Sequence, residues 1–227
     1  GGLGEIETIN AYEPTAEISG GGCQTLSVIQ MFAFDSKIEN VIGWMDDPLS
    51  DNDQSMGGHI KFKNGIHCFL NNKKSVKKGI EVIVTKGFFY HSDWNNFSIY
   101  KKDPDGYLRE INYNLPNVEQ SNRDLNNRIG NLQNPGFRTT ESINCFVSSI
   151  DKGAHLRCPG FVMRNSLEIA IALRESARQN NRPISMPLKD RSLKLFPKIG
   201  RLENKKASLS IGEYDKRMNE QLKYSSY

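Results

Sequence analysis

The sequence predicts an α+β fold: a large, mostly antiparallel, open-faced sheet with helices packed on one face. Three observations predict it. Short strand-like segments run from Glu5 to Ile111, separated by turns that carry glycine, asparagine or proline. Segments with helical apolar spacing gather mainly after them. Strands and helices are segregated along the chain, where a wound parallel sheet would alternate them.

The elements are taken in chain order. Glu5 to Tyr12 has apolar residues at Ile6, Ile9 and Ala11 and reads as a strand ending before Pro14. Ser19-Gly20-Gly21-Gly22 then opens a run from Cys23 to Phe34, whose residues Cys23, Leu26, Ile29, Phe32 and Ala33 repeat at helical spacing. Ile38 to Trp44 is strand-like. His59 to Lys63 and Ile66 to Leu70 flank Asn64-Gly65, the pair that supplies two positive-φ residues to a type I′ turn. A two-residue turn pairs Lys63 with Ile66, Phe62 with His67 and Ile60 with Phe69, so Ile60, Phe62, His67 and Phe69 share one face. Gly79 to Thr85 and Phe88 to His91 flank Lys86-Gly87. Asn96 to Tyr100 and Tyr107 to Ile111 flank Pro104-Asp105-Gly106, where proline presets φ and glycine accepts the left-handed region. Together these make a meander of six to eight strands.

Residues 112–138, rich in Asn, Gln and Pro, read as a long surface loop. A helix capped by Thr139 or Thr140 comes next, with Ile143, Phe146, Val147 and Ile150 in one stripe and Lys152-Gly153 at its end. A second helix starts after Pro159-Gly160, carries Met163, Leu167, Ala170, Ile171 and Ala177, and stops at Asn180-Asn181. Its Ile169-to-Leu173 run is apolar all round, as a helix buried on most sides should be.

Composition narrows the function. The 227 residues hold 30 Lys and Arg against 26 Asp and Glu. Ten of those bases and five of those acids fall after Leu188, which leaves 20 and 21 in the rest. A near-neutral body with a basic tail argues against a chain-wide nucleic-acid surface, since such surfaces match many phosphates along one face. The division is therefore a sheet domain over 1–197 and a basic C-terminal extension over 198–227. With 37% hydrophobic residues the body can build a real core. No apolar run approaches the roughly 18 residues of a membrane span, and the first residues lack the charged and apolar regions of a secretory signal. Cys23, Cys68, Cys145 and Cys158 are scattered and read as reduced thiols, which points to the cytoplasm.

Few residues announce chemistry. The glycine turn at Gly20–Gly22 is not a G-x-G-x-x-G, and reads better as a close-approach turn than as a dinucleotide fingerprint. His59 and His67 fall on opposite faces of the predicted hairpin, so no metal site is expected there. Lys73, Lys74, Lys77 and Lys78 form one basic connection, read as a solvated loop. The tail's Tyr214, Tyr224 and Tyr227 make no stacking platform for nucleic acid.

Four stretches, in order and spacing, carry a resemblance. Gly4-Glu-Ile-Glu-Thr-Ile9 looks like an opening "GEI" strand, and Ser19-Gly-Gly-Gly22 plus its helix looks like a glycine turn with a catalytic-motif helix. Gly58-His-Ile-Lys-Phe-Lys-Asn-Gly65 followed by Gly79-Ile-Glu-Val-Ile-Val-Thr-Lys-Gly87 looks like paired "F-x-N-G … E-V-x-x-T-x-G" hairpins. Asn165-Ser-Leu-Glu-Ile-Ala-Ile-Ala-Leu-Arg-Glu-Ser-Ala-Arg178 with Arg182-Pro-Ile-Ser-Met-Pro-Leu188 looks like a closing "A-L-E … E-S-A-R … R-P-V-x-L-P-L". The chain thus resembles the C-terminal domain of the Gfo/Idh/MocA oxidoreductases, the family of glucose–fructose oxidoreductase and inositol dehydrogenase.

The resemblance implies an enzyme that moves a hydride between NAD or NADP and a sugar or cyclitol, with the sheet lining the substrate site and building a homo-oligomer. It also implies that the N-terminal Rossmann domain is absent, so this chain alone holds no cofactor. The helix motif departs from the family. Leu26 stands at the usual Asp, Val28 at the Gly, Gln30 at the acid/base His and Ala33 at the second Asp. Glutamine hydrogen-bonds but does not titrate near neutrality. Gln30 is the expected catalytic-position residue, with Tyr12, Ser27 and Gln30 as substrate-binding residues. The alternative is a catalytically silent binding or dimerisation module descended from that family.

Overall fold

Alternation writes most of the sheet. In the computed structural model, which describes residues 2–12, 22–50, 56–71, 77–93, 96–111, 135–156 and 159–195, nine strands form one sheet. They are β1 (Ile6–Tyr12), β2 (Ile38–Trp44), β3 (Gly57–Phe62), β4 (His67–Asn71), β5 (Gly79–Val84), β6 (Gly87–Asp93), β7 (Asn96–Lys102), β8 (Leu108–Glu110) and β9 (Ile184–Ser185). On β1, Ile9 and Ala11 are buried while Thr8, Asn10 and Tyr12 face the other way. On β5, Ile80, Val82 and Val84 are buried and Glu81 and Ile83 are not. One face of the sheet is therefore core and the other stays open.

The strand order is β8-β7-β6-β5-β1-β4-β3-β2-β9. This differs from a simple meander. The first strand inserts between β4 and β5, parallel to β4 and antiparallel to β5. Two runs of hairpins, β2-β3-β4 and β5-β6-β7-β8, are thereby joined through β1 rather than directly. All other pairs are antiparallel. The α+β class holds.

The β3–β4 hairpin corrects the expected register. Lys61 pairs with His67, Ile60 with Cys68 and His59 with Phe69. Gly65 alone in this connection has positive φ, at 89°, and its N–H donates to Phe62 O at 3.1 Å, while Phe62 N–H donates to Ile66 O. The connection is thus a three-residue loop with a left-handed glycine, not a two-residue type I′ turn. Asn64 is held elsewhere: its Nδ2 donates to Ala33 O at 3.0 Å and its backbone N–H to Ser36 Oγ at 3.2 Å. A one-residue slip turns every side chain over. Ile60, Phe62, Cys68 and Leu70 enter the core, and His59, Lys61, His67 and Phe69 lie together on the open face.

Three helices accompany the sheet: α1 (Gly22–Phe32), α2 (Pro135–Lys152) and α3 (Gly160–Arg178). Leu26 and Ile29 of α1, with Ile169, Ala170, Ala172 and Leu173 of α3, close the core over Ile9, Val41, Ile60 and Phe62. Pro159 caps α3, and Asn180 and Asn181 end it in the left-handed region. Met163 and Leu167, expected in its core face, are instead partly exposed, because the buried stripe passes through Val162, Ser166, Ile169 and Leu173.

Helix α2 begins four residues before the expected cap. Pro135 occupies its first position, where proline's fixed φ is already helical and its missing N–H costs nothing. The predicted stripe exists but faces outward. Ile143, Phe146, Val147 and Ile150 are 45–67% exposed. The rest of the predicted loop, the lysines at 73 and 74, and residues 196–227, with the predicted 198–227 extension, lie outside the described residues.

The polar residues of α3 and of the segment after it have a packing explanation. Ser176 Oγ donates to Arg182 O at 2.6 Å and accepts Gly43 N–H at 2.9 Å, tying α3 to β2. Gly43 must be glycine, since a Cβ there would lie 2.0 Å from Leu173 O. Arg178 donates to Pro48 O and Ser50 O, and Glu175 pairs with Arg174 and Arg178. Glu168, buried, accepts Leu188 N–H at 2.7 Å and pairs with Arg191 at 2.9 Å. These residues fasten helix to sheet edge.

Candidate functional site

The expected site residues fall into two places. Gln30 and Ser27 lie on α1 where it meets α3. Gln30 is 4% exposed, and its Nε2 lies 2.9 Å from Ser166 Oγ and 3.2 Å from both Leu26 O and Val162 O. Ser166 Oγ itself donates to Val162 O at 3.0 Å. Ser27 Oγ donates to Cys23 O at 2.8 Å and stands 3.3 Å from Met163 Sδ. Leu26 and Ala33, at the two acid positions of the helix motif, are fully buried in the core. Gly20 and Gly21 lie outside the described residues, and Gly22 opens α1.

Tyr12 does not join them. Strand alternation sends its side chain to the open face, while α1 packs on the other. There Tyr12 Oη donates to Glu81 Oε2 at 3.3 Å, and Asn10 Nδ2 donates to the same oxygen at 3.0 Å. Lys77 Nζ donates to Glu81 Oε1 at 2.6 Å and sits 4.7 Å above the Tyr12 ring and 4.9 Å from that of Tyr90. Burial pushes the Glu81 carboxyl up, but the bonds from Lys77 and Asn10 and the lysine's charge outweigh it and hold it below the ordinary value. Burial would lower Lys77, yet Glu81 keeps it raised. The pair is a settled ion pair on a polar–aromatic surface.

The corrected register brings a second group together on that face. His59 Nε2 and His67 Nδ1 are 2.8 Å apart, with the rings stacked at 5.0 Å, and His59 also packs on Phe69 at 4.9 Å. One imidazole donates and the other accepts. Burial first, then the charges of His67 and Lys61, lower the His59 pKa. A two-residue turn would have kept these histidines on opposite faces; the three-residue loop unites them. No group of three His, Cys, Asp or Glu side chains suited to a metal occurs among the described residues. Phe69 and Trp44, 45% and 37% exposed, add apolar area to the face.

On the helix side, a cavity of about 290 Å³ opens beside Gln30. Gln30, Ser36, Lys37, Lys63, Arg164 and Asn165 contribute to its wall, with Asp35 and Glu168 also present. Among the described residues no group donates to Gln30 Oε1, so its carbonyl keeps its acceptor capacity. No signal along the chain marks this cavity, since residues 37, 63 and 164 come from three separate parts of it.

β1 and β2 run parallel and are joined through α1, but β4 and β3 lie between them in the sheet. No described helix is long and apolar enough to cross a membrane.

No protein-family model and no curated protein matches the chain. Solved structures do. The UDP-N-acetylglucosamine 3-dehydrogenase GnnA from Acidithiobacillus ferrooxidans superposes with a TM-score of 0.53 at 12% identity, over 80% of this chain and 56% of that one. The WlbA dehydrogenase from Bordetella pertussis, in complex with NADH and UDP-GlcNAcA, gives 0.56 at 12% identity over 82% and 58%. An oxidoreductase from Pseudomonas syringae gives 0.55 at 15% identity over 82% and 58%. What is shared is the fold. The chain spans little more than half the length of the proteins it matches.

Proposed function

We propose that this chain is the substrate and oligomerisation domain of an NAD(P)-dependent oxidoreductase of the Gfo/Idh/MocA type, acting on a sugar or cyclitol. The observation that carries the reading is the fold likeness over four-fifths of the chain to proteins described as dehydrogenases and oxidoreductases. The order of the glycine turn, hairpin and closing-helix motifs supports it. The nicotinamide cofactor would be held by a nucleotide-binding domain, as the resemblance implies. That cofactor supplies or accepts the hydride. This chain would supply shape and hydrogen bonds, with Gln30 Oε1 accepting from a sugar hydroxyl. Gln30 does not titrate, so the proton must pass through another group. Ser27 stays at the α1–α3 seam near Gln30, whereas Tyr12 would serve the open face.

A second reading is favoured by one feature. The two amide protons of Gln30 are shared among three acceptors, and Leu26 and Ala33 are core residues where the family carries acids. That is how a catalytically silent descendant, kept for binding or dimerisation, would be rebuilt.

One assay separates the two. The native polypeptide that contains these residues is tested for NAD(P)H oxidation against a panel of keto-sugars. Turnover that Gln30→Ala lowers supports the enzyme. Cofactor binding without turnover, with turnover gained in Gln30→His, supports the silent descendant. Absence of both binding and turnover in both forms overturns the oxidoreductase reading.

A further inference from the structure

The cavity beside Gln30 is built by three elements distant in sequence. Lys37 comes from the α1–β2 connection, Lys63 from the β3–β4 loop and Arg164 from the first half of α3. The first two are held side by side, because Lys63 N–H donates to Lys37 O at 2.8 Å. None of the three cations makes an ion pair among the described residues, and Arg164 has only a long contact, 3.4 Å, to Asn165 Oδ1. Of the two acids in the wall, Glu168 is spent on Arg191 and Leu188 N–H. Asp35 is the remaining carboxylate. Three cations against one acid leave a charge of plus two facing a cavity of about 290 Å³.

Cations brought together without anions repel one another, and an anion between them removes that repulsion. The donor set is suited to one with several oxygens. Lysines act as point charges, and the guanidinium adds a planar fork that matches phosphate geometry. The Ser36 hydroxyl, whose oxygen accepts Asn64 N–H, still has its proton to give, and Asn165 has an amide NH₂. The volume sits at the low end of ligand pockets, about 300–1,000 Å³, which limits the guest to the size of a monosaccharide phosphate.

We propose that this cavity is an anion site that binds the phosphate group of a small molecule between Lys37, Lys63 and Arg164. The site rests on the charge and shape of the cavity and not on hydride chemistry, so its failure would leave the oxidoreductase reading standing.

Isothermal titration of the full 227-residue chain tests it, using inorganic phosphate, glucose 1-phosphate and glucose as probes. Phosphate and glucose 1-phosphate should bind saturably, with dissociation constants of about 1 mM or tighter, and glucose should not. Equal affinities would assign the site to free phosphate, and a tighter glucose 1-phosphate would assign it to a phosphorylated sugar. Arg164→Gln, and the double change Lys37→Gln with Lys63→Gln, should each weaken binding about tenfold or more. Lys61→Gln, on the opposite face and paired with Glu39 at 3.0 Å, should leave it unchanged. All these positions are solvent-exposed or half-exposed, and thermal melts of each variant verify that it folds. No saturable binding up to about 10 mM, or an equal loss in Lys61→Gln, overturns the proposal.

Discussion

Gln30 Nε2 and Ser166 Oγ lie 2.9 Å apart and join α1 to α3 where both are buried. The position that resemblance assigns to proton transfer is thus also a structural tie between the two core helices. Truncating it should show this in stability before activity is measured. Ser166→Ala should cost about 1 kcal/mol, since Gln30 Nε2 keeps its two carbonyl acceptors. Gln30→Ala should cost about 2–4 kcal/mol through lost bonds and a cavity. A double-mutant cycle in urea should return a coupling of about 1 kcal/mol.

Gly43 sets how closely α3 approaches β2. Gly43→Ala should destabilise the chain by about 3 kcal/mol, because the added methyl meets a backbone carbonyl that cannot step aside. Gly160→Ala, with open space around it, should be tolerated. Chemical denaturation of both variants checks the contrast.

The closing helix and the first strand show what is legible along the chain and what is not. Ile38–Trp44 and Gly79–Val84 can be read from alternation, and α3 from its apolar run and its asparagine stop. The insertion of β1 between β4 and β5 cannot, because its parallel partner lies nearly 60 residues away in sequence. Asn64-Gly65 signals a turn correctly, but the bonds from Asn64 to Ala33 and Ser36 select the longer loop, and those are tertiary contacts. The consequence is large for one residue of slip: His59 and His67 meet. Gln30 and Ser27 are reached through resemblance, whereas the cationic cavity needs three elements folded together.

His59 should make stability pH-dependent. The His59 pKa is lowered in the folded chain, so the unfolded chain binds more protons. The contribution is complete above the ordinary value of 6.5 and is lost as pH falls through the lower folded value. Thermal melts from pH 7.5 to about 5 should show the decline. His59→Gln should flatten it.

Lys77 supports Glu81 in its charged form. Lys77→Met should raise the Glu81 pKa, as burial remains and the ion pair is gone. In the unmodified chain the stability from Glu81 is present above the ordinary carboxylate value of 4.5 and lost as pH falls through its lower folded value. Carboxyl NMR titration of both forms measures the shift.

The open face should associate. Phe69, Trp44 and the stacked histidines present apolar and aromatic area on one side of the sheet. Sedimentation velocity at micromolar concentration should find at least a dimer, and Phe69→Lys should shift it toward monomer. A monomer in the unmodified chain would remove the oligomerisation half of the proposed function.

The most direct measurement of the central claim is NADH binding, followed by fluorescence, to two forms: the 227-residue chain and the native polypeptide that contains it. A sheet domain that works beside a nucleotide-binding domain predicts saturable binding by the native polypeptide and none by the 227-residue chain. Saturable binding by the 227-residue chain itself, or none by either form, would contradict it.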